Sequence, residues 1–143
     1  MRVYVIDASV ATRFLLVEDL SDKALLLLRG FLEESVDMKA PDLVLSEVGN
    51  ALWKAVKRRS IELNEAVEKL AYFHKLKINR IQLTQHDYVE ALAWAVKNDA
   101  TYYDSVYVKT AEMAGTTLLT ADDQLCEKAS RAVATMHLRE LKA

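Results

Sequence analysis

A chain of 143 residues, 52% apolar and 28% charged, has the length of one domain and the composition of an ordinary globular protein, which excludes a disordered or fibrous chain. No apolar run approaches the roughly 20 residues that cross a bilayer, and Cys126 stands alone, so neither a membrane span nor an intrachain disulfide is expected and a reducing cytoplasm fits. The formal charge of −2 gives no overall attraction to nucleic acid, so any such partner requires local positive charge.

The first element is an apolar strand over 2–7, in which Val3-Tyr4-Val5-Ile6 runs into Asp7. Helices are predicted at 9–17 and 21–34, with Ser21 as a candidate cap of the second. Leu25 to Leu28 are consecutive and point around the whole circumference of that helix, so one face packed on a sheet cannot bury them all. With Phe14, Leu15 and Trp53, the leftover apolar surface suits a groove for an amphipathic helix or a subunit contact. A short strand at 38–40 stops at Pro41. The segment 43–59 places Val44, Val48, Ala51, Leu52 and Ala55 at helical spacing, and a helix over 64–76 completes a hairpin with it.

Arg80 to Leu83 reads as the third strand, and helices at 85–97 and 102–114 are separated by Asn98-Asp99-Ala100, with Gly115 ending the second. A fourth strand at 117–119 leads into Thr120-Ala121-Asp122. A helix over 122–131 and an edge strand over Ala132–Thr135 finish the chain. Strands alternating with helices predict an α/β fold, three layers around a central parallel sheet, and no linker or repeat divides residues 1–143 into more than one domain.

In such a fold functional groups gather at the carboxyl ends of the strands. Asp7 and Asp122 end strands there, Glu47 lies in the first turns of a helix that follows a strand, and Asp104 opens a helix that runs back to feed one. Carboxylates brought together raise one another's pKa, a penalty that a divalent cation removes. Oxygen-only ligands favour Mg²⁺ or Mn²⁺ over zinc, and His74, His86 and His137 are too scattered for a zinc site. With ions bound, such a pocket attracts phosphate and positions a water, which is nuclease chemistry. Ser9 and Thr120 offer hydroxyls beside Asp7 and Asp122, and Asn50, three residues after Glu47, is placed to orient it. Plain capping is the competing reading for each acid, Asp122 above all.

Local positive charge falls at Lys54, Lys57, Arg58 and Arg59, at Arg13, and at Lys75, Lys77 and Arg80. A solvated helix end and a loop are the competing reading, and for Lys54 to Arg59 the favoured one.

The motif set resembles the PIN-domain ribonucleases, and within them the small VapC-type toxins, over nearly the whole chain. Asp7-Ala8-Ser9 resembles the opening acid, Glu47-Val48-Gly49-Asn50 the Glu-x-x-Asn helix, Tyr103-Asp104-Ser105 the Tyr-Asp-Ala motif with Ser for Ala, and Leu118-Leu119-Thr120-Ala121-Asp122 the closing acid. The resemblance implies a Mg²⁺- or Mn²⁺-dependent endoribonuclease with Asp7, Glu47, Asp104 and Asp122 as catalytic and metal-binding residues and an RNA substrate that Arg13 and Lys54 are candidates to contact. It also implies a homodimer and a cognate VapB-type antitoxin. An RNA-processing nuclease without a toxin role and a catalytically silent interaction module stay open. A receiver domain fits poorly, since Arg80 to Thr84 lacks the phosphoacceptor Asp that should end the third strand. The scattered Gly30, Gly49 and Gly115 form no nucleotide-binding loop.

Overall fold

The computed structural model describes residues 1–142. Strands β1 (Arg2–Ile6), β2 (Val36–Pro41), β3 (Asn79–Ile81), β4 (Thr117–Thr120) and β5 (Thr135–His137) form one parallel sheet in the order β3-β2-β1-β4-β5. Helices α1 (Ala8–Thr12), α2 (Ser21–Leu32), α3 (Leu43–Lys57), α4 (Leu63–Lys75), α5 (Gln85–Asn98), α6 (Tyr102–Ala114) and α7 (Asp123–Ala129) connect the strands and cover the sheet, giving three α/β/α layers. No helix among the described residues is long and apolar enough to cross a membrane.

The central strands β1 and β4 are nearly continuous apolar runs because both of their faces are covered. Val5, Ile6, Leu118 and Leu119 are fully buried, joined in the core by Met38 and Ala40 of β2. Helix α6 crosses β1, β2 and β4, which explains why residues Ser105 to Ala111 form an uninterrupted buried stretch. Thr101 caps α6, and Gly115, at φ 63°, closes it in the left-handed conformation that a Cβ disfavours.

Several elements differ from the sequence expectation for physical reasons. Helix α1 ends at Thr12 rather than near 17, because residues 13–15 tighten into i→i+3 bonds and Arg13 draws the chain toward Asp19. Phe14 and Leu15 are thereby buried in the core instead of adding to an exposed groove. Ser21 does not cap α2: Leu20 occupies that position in the left-handed region, and the Ser21 hydroxyl accepts from the Glu18 N–H instead. Of the four leucines, Leu27 and Leu28 are buried, Leu26 is half-buried and Leu25 is exposed. Pro41 belongs to β2, since pairing with β1 stops at Lys39 and the missing N–H interrupts no bond to it. Strand β3 stops at Ile81 because Thr84 and Asp87 form a capping box for α5. The last strand lies at Thr135–His137 rather than 132–135, because Ala132 and Val133 bond back to Ala129 as the turn out of α7.

Candidate active site

Two neighbouring strands, β1 and β4, end side by side, which brings their C-terminal loops together. Asp7, the residue after β1, is only 4% exposed and caps α1. Its Oδ1 accepts from the Ser9 hydroxyl at 2.6 Å and from the Val10 N–H at 3.2 Å, and its Oδ2 accepts from the Thr120 hydroxyl at 2.6 Å. Ser9 also accepts from the Ala121 N–H at 2.8 Å, and Thr120 from the Asp122 N–H at 3.0 Å. The two hydroxyls therefore tie the end of β1 to the end of β4 and set Asp7 and Asp122 in register.

Asp122 caps α7 with one oxygen, Oδ1, which accepts from the Leu125 N–H at 3.0 Å. Capping leaves its second oxygen without a hydrogen bond among the described residues, so a structural and a chemical role are compatible. Asp104 lies in the first turn of α6, its N–H bonded to the Thr101 hydroxyl at 3.0 Å. Glu47, on the second turn of α3, is half-buried, and its Oε1 accepts from the Tyr107 hydroxyl at 2.7 Å.

The four acids come from four different elements, yet their charges act on one another. Burial, relieved in part by its three hydrogen bonds, lifts the Asp7 carboxyl to about 6, and the Asp104 charge adds to the rise. Burial and the charges of Asp122 and Glu47 raise Asp104 as well. Burial first and then the Glu47 carboxylate push the Tyr107 phenol far up, so it is a neutral donor at any physiological pH. None of the four carboxylates lies in an ion pair among the described residues.

This donor set suits a hard cation: it is all oxygen, acted on by like charge and without an ion-paired protein cation, although Lys128 offsets Asp104 in part. No three acidic, histidine or cysteine side chains among the described residues are gathered into a ready-made cage. An all-oxygen donor set fits Mg²⁺ better than it fits zinc, whose sites are built on His and Cys.

Other sequence candidates separate from this group. Asn50 is exposed and makes no hydrogen bond to Glu47; the orienting contact comes from Tyr107, which sequence reasoning missed. A polar-tipped aromatic one helical turn beyond Asp104 was the available signal. Arg13 is committed to the Asp19 carboxylate at 2.9 Å, the Asp19 carbonyl and the Ser9 carbonyl, with its side chain 12% exposed, so it clamps the α1 turn rather than presenting a free charge. Lys54 is exposed at the lip of a cleft that Glu47 and Ser9 also line.

Residues 4–130 match the PIN domain family model. Ribonuclease VapC3 of Pyrobaculum aerophilum is 35% identical over 131 residues, which span 87% of this chain and 92% of that protein. The crystal structure of PAE2754 from the same organism superposes with a TM-score of 0.69 at 25% identity, covering 96% of this chain and 92% of the other. VapBC2 from Rickettsia felis, solved bound to a DNA fragment from its promoter, aligns with a TM-score of 0.66 over 94% of this chain and 98% of the other; at 16% identity that likeness speaks to fold alone.

Proposed function

The chain belongs to the PIN domain family, and from that premise we propose that it is a single-domain, divalent-metal-dependent endoribonuclease acting in the cytoplasm. The observation that carries the reading is the mutual charge coupling of Asp7, Glu47, Asp104 and Asp122 at the carboxyl edge of the sheet, with none of them in an ion pair among the described residues and only the more distant Lys128 partly offsetting Asp104. Similarity to a protein named Ribonuclease VapC3 over most of both chains supports the choice of RNA as substrate.

Asp7 and Asp104 are the leading ligands for Mg²⁺ or Mn²⁺, with Glu47 and Asp122 completing the set. Bound metal supplies positive charge that draws the phosphodiester into an acidic pocket and lowers the pKa of a water to make it a nucleophile. The protein's own part is positional. Ser9, Thr120 and the Val10 N–H hold both oxygens of Asp7, so its carboxylate cannot swing away. The Tyr107 hydroxyl holds one oxygen of Glu47 and leaves the other available. Leu125 fixes Asp122 in the same way.

The biological role we favour is that of a toxin restrained by a VapB-type antitoxin, working as a homodimer. Similarity to Ribonuclease VapC3 supports this context. Exposed Leu25 and Leu32, seven residues apart on α2, leave apolar surface for an antitoxin helix, and exposed Val89, Leu92 and Val96 on α5 leave a stripe for a second copy. Cleavage of single-stranded RNA by purified protein tests the enzymatic core. Activity is expected with Mg²⁺ or Mn²⁺ and lost in EDTA; full activity in EDTA, or none with any divalent ion across varied RNAs, sinks it.

A further inference from the structure

Lys54, Lys57, Arg58 and Arg59 are all exposed, and none forms an ion pair among the described residues, although acids outnumber bases in this chain by 21 to 19. Helical spacing puts Lys54 and Arg58 on the same side of α3 as Glu47, since steps of seven and four residues return to one face. A cleft of about 320 Å³ between α1 and α3 is lined by Ser9, Glu47, Asn50 and Lys54. A second cavity, of about 300 Å³, shares Glu18 with the first and reaches Arg58 and Lys69. Together they form a track that leaves the acidic edge and runs down α3 for roughly 16 Å, at about 1.5 Å per residue from Glu47 to Arg58.

Free positive charge along this track comes from α3. Glu47 lines the upper cleft, while the lower cavity carries Glu18 and Glu65 as well as Arg58 and Lys69, and Lys69 is paired with Glu65 at 3.6 Å, so the free positive charge that can meet phosphate is that of Lys54 and Arg58, with exposed Lys57 beside them. Arg13 lines the upper cleft too, but its guanidinium is committed to Asp19 and contributes little free charge.

We propose that this track is the path of the single-stranded RNA flanking the scissile phosphate, with Lys54 and Arg58, which line it, and exposed Lys57 beside them neutralising phosphates and the Asn50 amide lying at the acidic end. The inference rests on the ribonuclease reading above and adds where the substrate lies. It also explains how a chain of net charge −2 holds a polyanion: binding is local to one helix.

The test compares wild type with the combined variant Lys54→Gln, Lys57→Gln, Arg58→Gln. A control, Arg2→Gln, Arg29→Gln, Lys142→Gln, removes equal charge at the opposite, amino end of the sheet, where those residues line a separate cavity. Affinity for a fluorescent single-stranded RNA is measured in EDTA over a salt series, and KM for its cleavage in Mn²⁺. Each lost phosphate contact flattens the slope of log affinity against log salt by about 0.7, so the α3 variant should lose about 2 in slope and raise KM at least about tenfold. The control should keep the wild-type slope. An α3 variant with wild-type slope and KM places the RNA elsewhere and overturns the proposal, as does unchanged RNA binding combined with loss of a purified protein partner. Salt-dependent binding that the α3 substitutions abolish, in a wild type that cuts nothing with any divalent ion, would remove the nuclease reading while leaving α3 as the RNA surface.

Discussion

Two acid-rich clusters in this molecule are built on opposite plans. Between α5 and α6, Lys109 is 7% exposed and bonds to both Glu90 and Glu112, the latter at 2.9 Å. At the sheet edge, the charges of Asp7, Glu47, Asp104 and Asp122 act on one another with no cation in salt-bridge reach among the described residues. The consequences for ionisation are opposite in sign. The hydrogen bond from Lys109 holds Glu90 below the usual carboxylate range, whereas burial and neighbouring acids raise Asp7 and Asp104 above it. One cluster holds its own lysine within hydrogen-bond reach; the other has no cation at that distance, and on the proposed function a metal ion would supply it.

The largest expected effect breaks the uncompensated cluster. Asp104→Asn keeps shape and removes one ligand charge, so Mn²⁺-dependent cleavage should fall by orders of magnitude while the circular dichroism spectrum stays native; a wild-type rate would make Asp104 a helix-start residue and nothing more. Tyr107→Phe acts one step back. It deletes a hydrogen bond to a charged group, of the order of 1.5–3 kcal/mol, and should lower the cleavage rate by about ten- to a hundredfold with folding retained. Restoration of the rate by high Mn²⁺ would locate the defect in how Glu47 is held.

Asp7→Asn sharpens the contrast through stability. Because the folded pKa, about 6, lies above the ordinary 3.8, the folded state binds the proton more tightly than the unfolded state does. The stabilising effect of protonation is therefore complete below about pH 4 and lost as pH rises through 6, a change of about 3 kcal/mol. Metal-free Asp7→Asn should lose that pH dependence and, near neutral pH, melt no lower than wild type. A steep fall in its melting temperature at neutral pH would mean that the carboxylate, even ionised, is structural.

The smallest effect is expected at the compensated cluster. Glu90 is depressed, so its pairing with Lys109 contributes above the usual carboxylate range and fades as pH falls through its lowered pKa. Lys109→Met should lower the melting temperature by a few degrees at neutral pH, less in acid, and leave RNA cleavage intact. Loss of cleavage would show that the two clusters are not independent.

The placement of the four acids was legible because strand order and helix direction dictate it: Asp7 and Asp122 end apolar strands, and Glu47 and Asp104 open helices at the same edge. What binds them together was not. The bond from Tyr107 to Glu47 spans 60 residues of sequence, and within Val106-Tyr107-Val108 the tyrosine reads as one more core residue of α6. Asn50 was the local choice for that role, because a single sequence displays i,i+3 neighbours and hides partners on another helix. The commitment of Arg13 to Asp19 likewise depends on α1 tightening at Thr12, which no periodicity announces. The slip of β5 to Thr135–His137 has the same origin, since Ala132 and Val133 read as strand until the turn out of α7 claims them.

Mn²⁺ binding to the RNA-free protein, followed by its melting temperature near neutral pH, tests most directly whether the uncompensated acids await a metal. A ligand at about 100 times its Kd stabilises by about 2.7 kcal/mol, so the wild type should melt several degrees higher with saturating Mn²⁺, Lys109→Met should show the same increment, and Asp104→Asn should show little or none. A wild-type melting temperature indifferent to Mg²⁺ and Mn²⁺, or an increment that survives in Asp104→Asn, would contradict a metal site at this edge.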